Sequence, residues 1–140
     1  MGKIILYTLV GLLVIALGVA VISCSLNPLR QSEERIRGNI LELTPIGMNV
    51  DDALEAIGQN EKWGNYRRSD RGYIIRYGRP ILPTHNHLYD ENEVIGVETI
   101  RVLLGTYRFG LGWIFVSAYW AFDENSSLVD VIVWKEFSGF

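Results

Sequence analysis

The stretch that decides the fold is WIFVSAYWAF, residues 113–122. It contains no charge and no proline, and its β-branched and aromatic residues are typical of a buried β-strand. Side chains alternate between the two faces of a strand, and here both faces are apolar. One face must cover the helices of the domain. The other face is therefore either covered by another part of the chain or reserved for a partner.

Further strand candidates lie on both sides of this stretch. Residues 96–108 and 128–136 are rich in β-branched and aromatic residues, and the polar residues 123–127 form a hairpin connection before the last strand. A weaker candidate covers residues 73–77. Together these segments predict a four-stranded antiparallel sheet.

Two helices are expected before the sheet. Asn27 and Pro28 have the residue types of a helix N-cap and first turn, and Pro45 ends this helix. A second helix begins at Asn49, whose side chain is placed to cap the N–H of Asp52, and it ends at Gly58. The order of elements predicts an α+β domain over residues 27–140, with the two helices packed on the sheet in two layers.

The N-terminal residues 1–26 are expected to form a membrane anchor. Residues 4–22 carry no charge and are long enough to form a transmembrane or signal-anchor helix. A rival interpretation is that Val21-Ile22-Ser23-Cys24 resembles the bacterial lipobox, with Cys24 as the lipidated residue. We therefore expect a single-pass protein of the bacterial inner membrane with its domain in the periplasm, or alternatively an outer-membrane lipoprotein.

Two motifs carry a resemblance to a known family. The segment Gly47-Met48-Asn49, followed by Ala53 and by Ile57-Gly58, resembles the signature of the SmpA/OmlA (BamE-like) family of small envelope proteins. Phe122-Asp123, followed by Leu128 and Val131, is similar to the last hairpin of that family, although Ser126 stands where a turn glycine is usual. The resemblance implies the two-helix, antiparallel-sheet fold of the β-lactamase-inhibitor-protein domains, which is used for binding proteins rather than for catalysis.

Composition excludes several other classes. The chain has 13 basic and 16 acidic residues and a net charge of −3, which argues against a nucleic-acid-binding protein. A single cysteine excludes an intrachain disulfide and a multi-cysteine metal site. The sequence contains no nucleophile-elbow or phosphate-loop motif. We therefore expect no enzymatic activity and no cofactor.

A metal- or small-ligand-binding domain is the alternative function. His85 and His87, with Asp90 nearby, offer ligands that zinc or copper accepts. The competing interpretation of this loop is a solvated polar segment without fixed geometry.

Arginines interleaved with tyrosines form a second candidate surface. Such a pattern binds anionic headgroups or an acidic partner, unless it is simply a solvated strand edge. The arginines are Arg67, Arg68, Arg71, Arg76 and Arg79.

The main functional hypothesis concerns the aromatic side chains of the last strands. We expect a non-catalytic, membrane-tethered envelope protein, either an accessory subunit or an inhibitor or immunity protein, that holds an unidentified protein partner on an aromatic sheet face. The expected contact residues are Trp113, Phe115, Tyr119 and Trp134. In the alternative, Ile81, Leu82 and Leu88 fold over this face as a lid.

Overall fold

The computed structural model describes residues 7, 10–15, 27–82 and 93–139 of the chain. The chain divides into two compact units, Met1–Gln31 and Ser32–Phe140. In the first unit, Pro28–Arg30 forms one short 3-10 turn, and the Asn27 side chain accepts a hydrogen bond from the Leu29 N–H at 3.0 Å.

The predicted membrane anchor is not supported. A helix that crosses the hydrocarbon core of a bilayer needs about 20 predominantly apolar residues. No helix among the residues that the structure describes is long and apolar enough for this. The predicted transmembrane or signal-anchor helix over residues 4–22, and the single-pass inner-membrane location inferred from it, are therefore wrong.

The second unit is a small α+β domain with two α-helices. Helix α1, Glu33–Leu43, has its N-cap at Ser32 rather than at Asn27, and the Ser32 side-chain oxygen accepts a hydrogen bond from the Arg35 N–H. Helix α2, Val50–Gly58, begins at Asn49 as predicted, although Asn49 accepts from the N–H of Asp51 and not of Asp52.

A four-stranded antiparallel sheet forms the centre of the domain. Its order is β1-β4-β5-β6, with β1 at Tyr66–Ser69, β4 at Glu98–Phe109, β5 at Gly112–Phe122 and β6 at Leu128–Ser138. The sheet therefore has the predicted number of strands, but its first strand is not the predicted segment 73–77. That segment contributes to a separate two-stranded hairpin, in which β2, Ile74–Arg76, pairs with β3, Arg79–Ile81.

Two turns join the long strands. The β4–β5 turn is Gly110-Leu111, where Gly110 has φ +57°, a conformation that glycine adopts without strain. In the β5–β6 turn Ser126 takes the left-handed φ of +60°. This turn also contacts the start of α2, because the Val50 N–H donates to the Ser126 carbonyl at 2.9 Å. The Gly47 N–H, just before α2, donates to the Leu128 carbonyl of β6 at 2.7 Å.

The helices pack on one face of the sheet, which we call the helix face. The Trp120 indole N–H donates to the Thr44 hydroxyl at 2.9 Å, and that hydroxyl donates to the Ile40 carbonyl at 3.0 Å. Trp63 lies against the Trp120 ring with the ring centres 5.7 Å apart. The main core is therefore built on the helix face, where buried side chains from both helices and three strands meet: Ile36, Ile40, Val50, Ala53, Ile57, Ile100, Val102, Val116, Ala118, Val131 and Val133.

Candidate functional site

The opposite face of the sheet, the outer face, carries the candidate site. Because Trp120 points to the helices, the alternation along β5 directs Trp113, Phe115 and Tyr119 to the outer face. Residues directly opposite on neighbouring strands share a face, so Arg101 of β4 and Ile132 of β6 stand beside Tyr119. Other parts of the chain cover one end of this face much more than the other.

One end is buried beneath a layer that we call the cover, which comprises the β2–β3 hairpin with the flanking residues Tyr73, Leu82 and Ile95. Tyr73 is fully buried and contacts Tyr119 edge-on, with ring centres 6.2 Å apart. Leu82 and Ile95 pack against the buried cluster of Tyr73, Tyr119 and Ala121. Tyr119 is consequently only 6% exposed. The cover makes the fold three layers deep at this end instead of the predicted two.

Asp130 of β6 ties the cover to the rest of the domain. Its Oδ2 accepts a hydrogen bond from the Tyr73 hydroxyl at 2.7 Å, and its Oδ1 accepts one from the Arg37 guanidinium of α1 at 2.9 Å. The Arg37 Nε–H also donates to the Val131 carbonyl at 2.6 Å. One carboxylate therefore links the layers on both sides of the sheet.

The Tyr73 hydroxyl is unsuited to acid–base chemistry. Burial raises the pKa of Tyr73 far above its ordinary value, and the hydrogen bond to Asp130 raises it further. Because Tyr73 is also fully buried, no substrate reaches its oxygen. The Tyr73–Asp130–Arg37 cluster therefore has a structural role.

The other end of the outer face is open. Trp113 is 49% exposed and Phe115 is 37% exposed, in contrast to the buried Tyr119. The β4–β5 turn beside Trp113 adds an exposed apolar side chain, Leu111. We call this end, from Trp113 to Phe115 with its neighbours on β4 and β6, the open half, and the end around Tyr119 the covered half.

A groove runs from the open half toward β1. Its volume is about 380 Å³, and Phe115 and Leu103 give it an apolar wall. Two arginines from β1 and β4 and one acid from β6 also line it: Arg67, Arg101 and Glu136. The groove combines apolar surface with charges of both signs, an arrangement suited to binding a polar ligand in one orientation.

The predicted contact residues are divided between the two halves. Trp113 and Phe115 are on the open half, whereas Tyr119 is in the covered half and is not available at the surface. Trp134 is half-buried between them, with the Arg79 guanidinium 5.6 Å from its ring centre. The lid alternative is right for Leu82, which packs on the cluster, while Ile81 is exposed and Leu88 lies outside the described residues.

The other predicted sites receive no structural counterpart. His85, His87 and Asp90, and likewise Cys24, lie outside the described residues. Within the described ranges no group of three or more histidine, cysteine, aspartate or glutamate side chains could hold a metal ion.

The arginine-rich segment does not form a single basic surface. Arg68 faces the helix side of β1 and donates to Glu98 at 3.0 Å, and Glu98 raises the pKa of Arg68. Arg79 lies on Trp134, and Arg67 lines the groove. Sequence reasoning missed Arg101 and Glu136, which the sheet register brings to this groove from distant parts of the chain.

The fold and site define a small α+β domain with an aromatic sheet face that is covered at one end and open at the other. No family model, no curated protein and no solved structure matches the chain. The resemblance to the SmpA/OmlA family therefore stays a prediction that rests on the two motifs.

Proposed function

We propose that this chain is a non-catalytic protein-binding domain that holds a partner protein on the open half of its outer face. The observation that carries the proposal is the contrast along β5. Trp113 and Phe115 are exposed on the same face on which Tyr119, a residue of the same chemical type, is buried. A folded domain that covers half of an aromatic face and leaves the other half in water has a surface fit for a partner.

The chemistry of the open half supports a protein partner. Trp and Phe bury large apolar areas and lose little conformational entropy on binding, so they are common at the energetic centres of interfaces. Trp113 and Phe115 also project from β5, an inner strand of the sheet with β4 and β6 on its two sides. A rigid platform reduces the ordering cost of association.

The experiment is affinity purification of the full-length protein from its native host, with quantitative mass spectrometry. The double variant Trp113→Ser/Phe115→Ser should recover at least about tenfold less of one specific partner protein, since each substitution removes a central apolar contact. Tyr66→Ser is the matched control, because Tyr66 is an exposed aromatic residue on the helix face of β1.

The control should retain the partner within about twofold, and circular dichroism should show both variants folded. If every retained protein is lost equally from both variants, or from neither, the open half is not the binding surface. The proposal would then be wrong.

A further inference from the structure

Arg67 and Arg101 form an unusual pair at one end of the groove. They stand directly opposite each other on β1 and β4, and like charges at such positions destabilise a sheet. The Arg101 guanidinium is 5.4 Å from the ring centre of Tyr119, so Arg101 lies on the outer face. Arg67 shares that face because it is directly opposite Arg101 in the register. The fold thus holds two positive charges together at the β1 end of the groove.

Neither guanidinium is neutralised within the described residues. Arg67 forms no hydrogen bond or ion pair there, and Arg101 has only its contact with Tyr119. The neighbouring Arg68 shows the contrast, because it points to the other face and is paired with Glu98. A bound anion would convert the repulsion between Arg67 and Arg101 into two charge-assisted hydrogen bonds.

The rest of the groove restricts which anion fits. Leu103 and Phe115 provide apolar surface next to the two arginines. A bare inorganic ion would leave this apolar surface in contact with water. Glu136 lies on β6, three strand spacings or about 14 Å from β1, and it repels a second negative charge there. The charge of this groove therefore runs from positive at β1 to negative at β6.

We propose that this groove binds a carboxylate-bearing, apolar segment of the partner protein. An acidic side chain of the partner lies between Arg67 and Arg101, and an apolar side chain next to it packs on Leu103 and Phe115. A width of about 14 Å suits four or five residues of extended peptide. This inference rests on the proposed function and specifies which partner sequences the open half accepts.

The test selects peptides from a random 12-residue phage library on the immobilised full-length protein. Selected peptides should be enriched in Asp or Glu within a few residues of an aromatic or aliphatic side chain. A synthetic copy of the strongest peptide should bind Arg67→Gln/Arg101→Gln at least about tenfold more weakly in a fluorescence-polarisation titration.

A control variant separates the local effect from the net charge. Arg35→Gln/Lys62→Gln removes the same charge from exposed positions on α1 and in the loop after α2, and it should leave the affinity within about twofold. Equal weakening by both double variants would overturn the inference. So would selected peptides without acidic enrichment.

Failure of the proposed function gives a different result. If the selected peptides bind Phe115→Ser as tightly as the parent protein, the open half does not bind them and both proposals are wrong. If they depend on Phe115 but contain no acidic residue, only the groove inference is wrong. If no peptide is selected at all, both are overturned.

Discussion

Tyr119 and Phe115 lie on the same strand and the same face, yet one is buried and the other is more than one-third exposed. Tyr119 has the Tyr73 ring against it and the Arg101 guanidinium over it. Phe115, in contrast, forms part of the wall of the groove. Alternation along a strand therefore determines the face of a side chain, whereas a distant segment determines whether that face is covered.

The largest expected difference is between truncations of these two residues. Tyr119→Ala should lower the free energy of unfolding by about 3 kcal/mol, because it leaves a cavity between the sheet and the cover. Phe115→Ala should cost about 1 kcal/mol, because part of that side chain is already in water. Urea denaturation of both variants measures the comparison, and equal losses would show that the cover does not stabilise the covered half.

Loss of the hydrogen bond between Tyr73 and Asp130 should have the next largest effect on the free energy of unfolding. Tyr73→Phe removes the donor to a carboxylate while keeping the ring in place, and we expect a loss of about 1.5 kcal/mol. Tyr77→Phe is the control, since Tyr77 is fully exposed at the tip of the β2–β3 hairpin and makes no such bond. The same urea midpoint for both variants would contradict the role assigned to Asp130.

Tyr73 in the covered half should also make the free energy of unfolding fall at alkaline pH. Burial, followed by the hydrogen bond to Asp130, raises the pKa of Tyr73 above the value of about 10 expected in the unfolded chain. The folded state therefore holds this proton more tightly, so its contribution to stability is complete below about pH 10 and falls as the pH rises further.

Urea denaturation between pH 8 and pH 11 tests this dependence. The parent protein should lose stability above about pH 10, and Tyr73→Phe should show a shallower decline. The decline should not vanish, because burial also raises the pKa of Tyr119. Identical pH profiles for the two proteins would show that ionisation of Tyr73 does not cause the loss of stability at alkaline pH.

The smallest expected effect is a gain in stability of the cover. Tyr77 has φ +51° and Gly78 has φ +73° in the two-residue hairpin turn, a conformation that asparagine tolerates better than tyrosine. Tyr77→Asn should stabilise the domain by about 0.5 kcal/mol. Hydrogen exchange should slow at Tyr73 and Ile95, whose N–H groups bond across to each other's carbonyls at 3.1 and 2.8 Å. Faster exchange at these amides would contradict the interpretation.

Local patterns predicted the elements that have strong local signals. Helix α2 follows its cap at Asn49 and ends at Gly58, and β5 and β6 follow their β-branched and aromatic residues closely. The edge strand β1, with the sequence YRRS, gave no such signal because short edge strands are often polar and charged. The segment 73–77 was therefore placed in the wrong sheet.

The candidate site was only partly predictable, because it depends on contacts between distant segments. The apolar pattern identified Trp113 and Phe115, but it grouped them with Tyr119, which the cover buries. The register that places Arg67 opposite Arg101 joins strands that are more than 30 residues apart in the chain. The anchor prediction over residues 4–22 rested on hydropathy and length alone, and it was wrong, since no helix among the described residues is long and apolar enough to cross a membrane.

The most direct measurement is site-specific photocrosslinking in the native host. The photoreactive residue p-benzoylphenylalanine replaces Phe115 on the open half in one variant, and Tyr66 on the helix face in the other. We expect a discrete adduct with one protein from position 115 and none of the same mass from position 66. No adduct at 115, or the same adduct from both positions, would contradict a partner bound on the open half.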